Sequence, residues 1–164
     1  MSDRPTFKWK EQEVRAAGML FFVNGENNVK LFLMRKPSKQ WENTYWEDLG
    51  GKTDNRDHSY EETAIREVVE ECNNSVFSNE DTFDTCCEKI RMLLQHKPYE
   101  MFYCPKSKYL LYKVELDKAI LNLKMSRFKR IESCEQIPHY FRWKTKPYYK
   151  SVHPRIRSMK NVFV

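Results

Sequence analysis

The chain has 164 residues, 40% hydrophobic, 14% aromatic and 32% charged, with a formal net charge of +6. That length suits one domain around a single core, and mixed-sign charge spread along the chain suits a folded, soluble protein. No apolar run is long enough to span a membrane, and the polar N-terminus has no signal-peptide character, so cytosol or nucleus is the expected compartment. Net positive charge suits an anionic partner, but ordinary solubility explains a charge of this size equally well. The five cysteines include no C-x-x-C pair. Their odd number argues against a complete disulfide framework, and reduced, buried thiols are expected.

In chain order, residues 1–12 read as a loose tail and 13–164 as one domain. Val14 to Val23 is apolar and strand-like, Asn24-Gly25 and Asn27-Asn28 supply turn chemistry, and Val29 to Arg35 reads as a second strand. Together they predict a β-hairpin. Pro37 to Tyr45 reads as a loop, and Trp46-Glu47-Asp48-Leu49 leads into Gly50-Gly51. Ser59 to Asn73 is the clearest helix. Ser59 and Glu62 have capping-box spacing, Ala64, Ile65, Val68 and Val69 form an apolar stripe, and Asn73 or Asn74 suits a left-handed end. A second helix is predicted over Asn79 to Gln95, capped by Ser78. Strands are predicted at Met101 to Cys104 and Tyr109 to Leu116. Further on, Phe128 to Ile131 reads as a short strand, and Gln136 to Phe141 and Ser151 to Lys160 as helices. The order of elements implies a mixed α+β fold.

Chemistry concentrates between Gly50 and Asn73. On a helical wheel Arg66, Glu67, Glu70 and Glu71 share one edge, opposite the apolar stripe. Three carboxylates so crowded need compensation; Arg66 offsets one, and a hard divalent cation with oxygen ligands would suit the rest. The competing reading is a solvated acidic helix face. The double glycine and polar loop before the helix favour a site, because glycine lets backbone approach a ligand without a Cβ in the way.

This stretch resembles the Nudix box, G-x5-E-x7-R-E-U-x-E-E-x-G-U, where U is a bulky aliphatic residue. Gly51 matches the first glycine, Arg66-Glu67 the R-E pair, Val68 the aliphatic position and Glu70-Glu71 the paired glutamates. The loop is one residue longer, Asp57 stands where the pattern has glutamate (with Asp54 as a rival), and Asn73-Asn74 replace the closing pair. The resemblance implies an α/β/α sandwich with a mixed sheet, and hydrolysis of a nucleoside diphosphate linked to another moiety. It implies Mg²⁺ or Mn²⁺ on Glu67, Glu70, Glu71 and the Gly51 carbonyl, with Arg66 orienting the carboxylates. The general base would be a box glutamate or a carboxylate from a later loop: Glu132 and Glu135 first, then Glu100.

Arg35, Trp46, Gly50 and Lys52 are the expected substrate contacts, Arg35 reaching phosphates unless it serves only to close an edge strand. Tyr148-Tyr149 among Lys144, Lys146, Lys150, Arg155, Arg157 and Lys160 would suit RNA, or else a solvated C-terminal helix. The four histidines show no ligand spacing and receive no role. Two alternatives accompany the nucleotide pyrophosphohydrolase reading: removal of a cap or terminal phosphates from RNA, and a non-catalytic nucleotide- or RNA-binding module. A homodimer is compatible with all three.

Overall fold

In a computed structural model of the chain, residues 3–36, 45–122, 140–145 and 149–164 are described. The elements are β1 (Phe7–Trp9), β2 (Gln12–Val14), β3 (Ala16–Asn24), β4 (Lys30–Lys36), β5 (Leu49–Lys52), α1 (Tyr60–Glu71), α2 (Phe83–His96), β6 (Tyr99–Cys104), β7 (Tyr109–Glu115), β8 (Tyr140–Thr145) and α3 (Pro154–Arg157). Strands β6, β7, β3, β4 and β8 lie side by side in that order, and β5 adds on to β3. The β3–β7 pair is parallel and the other pairs are antiparallel, so the sheet is mixed.

The predicted hairpin is present as β3 and β4, with Phe21 opposite Leu33 and Asn24 opposite Lys30. Asn27 and Asn28 turn the chain with positive φ, a conformation that asparagine tolerates better than most residues. Strand alternation then sorts the core into two layers. Ala17, Met19, Phe21 and Val23 of β3 face α1 and α2, meeting Ile65, Val68, Val69 and Ile90. Leu20, with Phe32 and Met34 of β4, faces the opposite way, onto Val152, Ile156, Met159 and Val162. Helices on one face and the C-terminal segment on the other make the expected three-layer arrangement. Each fully buried Leu, Ile, Val or Phe side chain contributes roughly 1.5–3 kcal/mol, so both faces of the sheet are held firmly.

Helix α1 begins where its capping signal lies: Ser59 Oγ accepts from Glu62 N at 3.1 Å. The reciprocal bond runs one residue early, Glu62 accepting from His58 N at 2.7 Å. Asn73 and Asn74, with φ of 50° and 62°, provide the left-handed end.

Four expectations change. The tail is a paired hairpin from Phe7 to Val14, because Phe7 and Trp9 pack against the core. The second helix starts at Phe83, capped by Thr82, while Ser78 instead bonds Glu80 N. Of the helix expected at Gln136 to Phe141, residues 136–139 lie outside the described residues, and Tyr140–Thr145 is a strand against β4 with Phe141 buried. The C-terminal helix shrinks to Pro154–Arg157. The short strand expected at 128–131 and most of the 37–45 loop lie outside the described residues. Four cysteines (Cys72, Cys86, Cys87 and Cys104) are buried free thiols, and Cys134 lies outside the described residues. Among the described residues no helix is long and apolar enough to cross a membrane.

Candidate active site

Strand β5 carries Gly50-Gly51 alongside β3, with Gly18 facing Gly50 and Ala17 facing Gly51. Helix α1 packs over this strand. A Cβ built on Gly51 would lie 2.5 Å from the Glu67 carboxyl, so the missing side chain is what lets that carboxylate rest on the strand.

Arg66 organises the outer half of the site. Its Nε and Nη2 grip both oxygens of Asp57, at 2.9 and 3.0 Å, and Nη2 also donates to the Lys52 carbonyl at 2.9 Å. Its Nη1 bridges Glu67 at 2.9 Å and Glu70 at 3.2 Å, so one guanidinium nitrogen holds two carboxylates side by side. Asp57 is buried and also accepts from Thr63 Oγ1 and Asp54 N. Burial alone would raise its pKa, but these hydrogen bonds, Arg66 foremost, hold it below the ordinary value of 3.8. Asp57 therefore anchors the arginine. Its rival Asp54 is half-exposed and paired with Arg56 at 2.8 Å, which lowers it to about 2.

The inner half is a second network that the helical wheel does not reveal. Glu71 is not held by Arg66 as Glu67 and Glu70 are, although Glu67 lies within electrostatic reach of it. It turns inward to Arg35 at 3.0 Å and accepts from Gly50 N at 3.0 Å. Burial pushes its pKa up to about 8 against the pull of Arg35. Arg35 also donates to the Asp48 carbonyl at 3.0 Å and to Glu47 at 3.1 Å. Asp48, fully buried, accepts from Arg155 Nη2 at 2.8 Å and from the Tyr109 hydroxyl. That hydroxyl sits where a Cβ on Gly18 or Gly50 would fall, so the facing glycines make its room.

A cleft of about 990 Å³ opens beside these networks, lined by Arg4, Arg15, Gly51, Lys52, Tyr109 and Arg155 among others. A hollow of about 310 Å³ adjoins it, sharing Arg4, Gly51 and Lys52 and reaching Arg66 and Glu67. Gly50 and Lys52, two of the expected substrate contacts, line the cleft, as does Gly51, the expected metal-binding carbonyl. Arg35 does not: it is 9% exposed and committed to internal acceptors, which corrects the expectation that it reaches phosphates. Trp46 is half-buried under Lys144, 4.4 Å from its ring, and does not line the cleft itself, although its carbonyl accepts from the N–H of His153, which does. Glu100 is exposed on β6 near Lys113, which pairs with Leu20; Gly51 pairs with Ala17. Three residues along the strand, roughly 10 Å, remove Glu100 from the base role. Glu132 and Glu135 lie outside the described residues, as do Lys146 and Tyr148. Arg155 belongs to the buried Asp48 network rather than to a basic C-terminal surface.

Among the described residues no three His, Cys, Asp or Glu side chains stand arranged as a cation site. Glu71 has been drawn to Arg35, leaving two carboxylates, Glu67 and Glu70, presented together. Their hard oxygen donors, beside a strand with no Cβ at Gly51, fit a divalent cation chemically. His153, given no role from sequence, lines the cleft with Nδ1 accepting from Arg155 N at 3.1 Å. Asp48 and Tyr109 also went unrecognised. Asp48 and Arg155 stand 107 residues apart, and no local spacing links them.

No protein-family model matches the chain, and no curated protein matches it. Solved structures similar to it include a Nudix hydrolase from M. smegmatis, RenU, at 10% identity over 93% of this chain and 88% of that one, with a TM-score of 0.47. A C. elegans Ap4A hydrolase in a binary complex is 19% identical over 80% of each chain, with a TM-score of 0.39. A NUDIX hydrolase from Alicyclobacillus acidocaldarius is 13% identical over 79% of each chain, with a TM-score of 0.41.

Proposed function

We propose that this chain is a metal-dependent Nudix-type hydrolase that cuts the pyrophosphate bond of a nucleoside diphosphate linked to another moiety. The observation that carries the reading is the pairing of Glu67 and Glu70 on one nitrogen of Arg66, over a glycine strand at the edge of a cleft. A surface acidic helix would have no reason to bury its arginine on an aspartate and rest a carboxylate, Glu67, on a strand stripped of side chains.

In this reading Glu67 and Glu70, with the Gly51 carbonyl, hold Mg²⁺ or Mn²⁺. When bound, the cation neutralises diphosphate oxygens and lowers the pKa of a water molecule. Arg66 keeps the two carboxylates in register and touches no substrate. Lys52, exposed at the cleft, offers its ammonium to the diphosphate. Glu71 braces strand β5 through Gly50 N, so its contribution is to hold the glycines in place. The water's proton goes to a box glutamate or to Glu132 or Glu135, which the pH profiles of the Gln variants separate.

The test is turnover by the purified protein with Mg²⁺ or Mn²⁺ on ADP-ribose, nucleotide sugars, dinucleoside polyphosphates, nucleoside triphosphates and capped RNA. The expected result is cleavage of at least one class, abolished by chelator and lowered at least about 100-fold in Glu70→Gln. Folded protein that turns over nothing would overturn the enzyme reading and leave a binding module.

A further inference from the structure

The cleft beside the box is built to recognise negative charge rather than an aromatic ring. Thr53, fully buried directly after β5, donates its backbone N–H to the Arg15 carbonyl at 3.0 Å and its hydroxyl to the Pro5 carbonyl at 2.7 Å. One residue therefore pins Arg15 and the neighbour of Arg4 beside Lys52. All three cations are exposed and line the cleft. Among the described residues none of their side chains enters an ion pair, although Glu13 lies within electrostatic reach of Arg15. Arg4 and Lys52 also border the hollow that contains Glu67.

Acidic side chains do little to cancel this charge. Asp54 is taken up by Arg56, which leaves Asp3 at the rim. Arg155 also lines the cleft, its charge matched by Asp48 while its Nε has no hydrogen-bond partner among the described residues. The aromatic contribution is small: Tyr109 lines the cleft, but it is 3% exposed and its hydroxyl is committed to Asp48. A base would find one partly exposed ring, the His153 imidazole, whereas a phosphate would find two guanidinium groups and an ammonium. Guanidinium groups favour phosphate because their paired N–H donors match its oxygens.

We propose that Arg4 and Arg15, with Lys52, form a subsite for a phosphate beyond the diphosphate being cut. The substrate class is then a polyphosphorylated compound, carrying three or more phosphates in a chain or a phosphomonoester on the far moiety, rather than a diphosphate ending in a neutral sugar. This rests on the hydrolase reading for its catalytic consequence, but the subsite is testable without catalysis.

The experiment is calorimetric titration of the full chain with inorganic tripolyphosphate in chelator, comparing wild type, the Arg4→Gln/Arg15→Gln double variant and Arg91→Gln. Arg91 is a cation on α2, distant in sequence from the cleft lining. The expected result is roughly tenfold weaker binding in the double variant, with Arg91→Gln like wild type. Equal affinity in all three proteins, or an equal loss in both variants, would overturn the subsite. A second readout follows turnover. The ratio of KM for ADP-ribose to KM for a dinucleoside tetraphosphate should fall about tenfold in the double variant, and an unchanged ratio would contradict the proposal. If wild type cleaves nothing yet the titrations differ as expected, the hydrolase reading fails and the phosphate subsite stands.

Discussion

Two arginine-centred networks flank strand β5, and they are built on opposite plans. Arg66 gathers Asp57, Glu67, Glu70 and the Lys52 carbonyl from one short stretch of chain at the solvent's edge. Arg35 and Arg155 join β4, the β5 lead-in, the end of α1 and the C-terminal segment deep in the protein. The outer network presents charge, while the inner one cancels it. Two adjacent glutamates of one helix, Glu70 and Glu71, therefore serve different ends: the side chain of Glu70 is 29% exposed, that of Glu71 8%. Sequence adjacency on a helix rotates a side chain by about 100°, enough to move it from a site into a core.

Breaking the inner network should cost most. Asp48→Ala strands Arg155 and the Tyr109 hydroxyl in a buried setting, and losing one partner of a buried pair costs roughly 3–5 kcal/mol. Urea unfolding should show that loss. A change below about 1 kcal/mol would mean that Glu47, 3.6 Å from Arg155, suffices alone. Asp57→Asn in the outer network should cost less, about 2 kcal/mol, because Arg66 keeps three other acceptors.

The two networks should also respond to pH with opposite sign. Asp57 is held below its ordinary value, so its contribution is present above about pH 4 and lost as pH falls through the depressed folded-state pKa. Thermal melts should therefore show wild type losing stability in acid more steeply than Asp57→Asn. Glu71 is raised to about 8, so its contribution is complete below about 4.5 and lost as pH rises toward 8. In metal-free buffer wild type should lose stability across that window relative to Glu71→Gln. Parallel curves for the Glu71 pair would show that Arg35 outweighs burial there. The smallest effect belongs to Arg56→Gln. Arg56 is exposed and paired with Asp54 and, at 3.5 Å, with Glu70, and its Tm should stay at the wild-type value.

What the sequence made legible follows the same division. The α1 cap, its apolar stripe, its asparagine end and the β3–β4 hairpin are local patterns, and each appears within a residue or two of its predicted place. The outer network was readable because its members lie between Gly51 and Glu71. The inner network was not: Asp48 looks like any acidic residue before a glycine pair until Arg155 arrives from 107 residues away. The same limit explains why Arg35 was expected to face phosphates, because nothing local says that β4 will run beside the β5 lead-in. Thr53 gave no signal either; its role depends on an N-terminal hairpin that a polar composition disguises.

The parallel pairing of β3 with β7, which brings Ala16 beside Tyr109, has a consequence for the order of assembly. Helix α1 can form early, since its cap and its Arg66–Glu70 pair need only neighbours. The cleft wall cannot, because it waits for β3 and β7, far apart in the chain, to meet across an intervening segment whose closure is entropically costly. The carboxylates thus exist before the place where they act, and mild heating that first parts the distant strands would leave a helical but incompetent molecule.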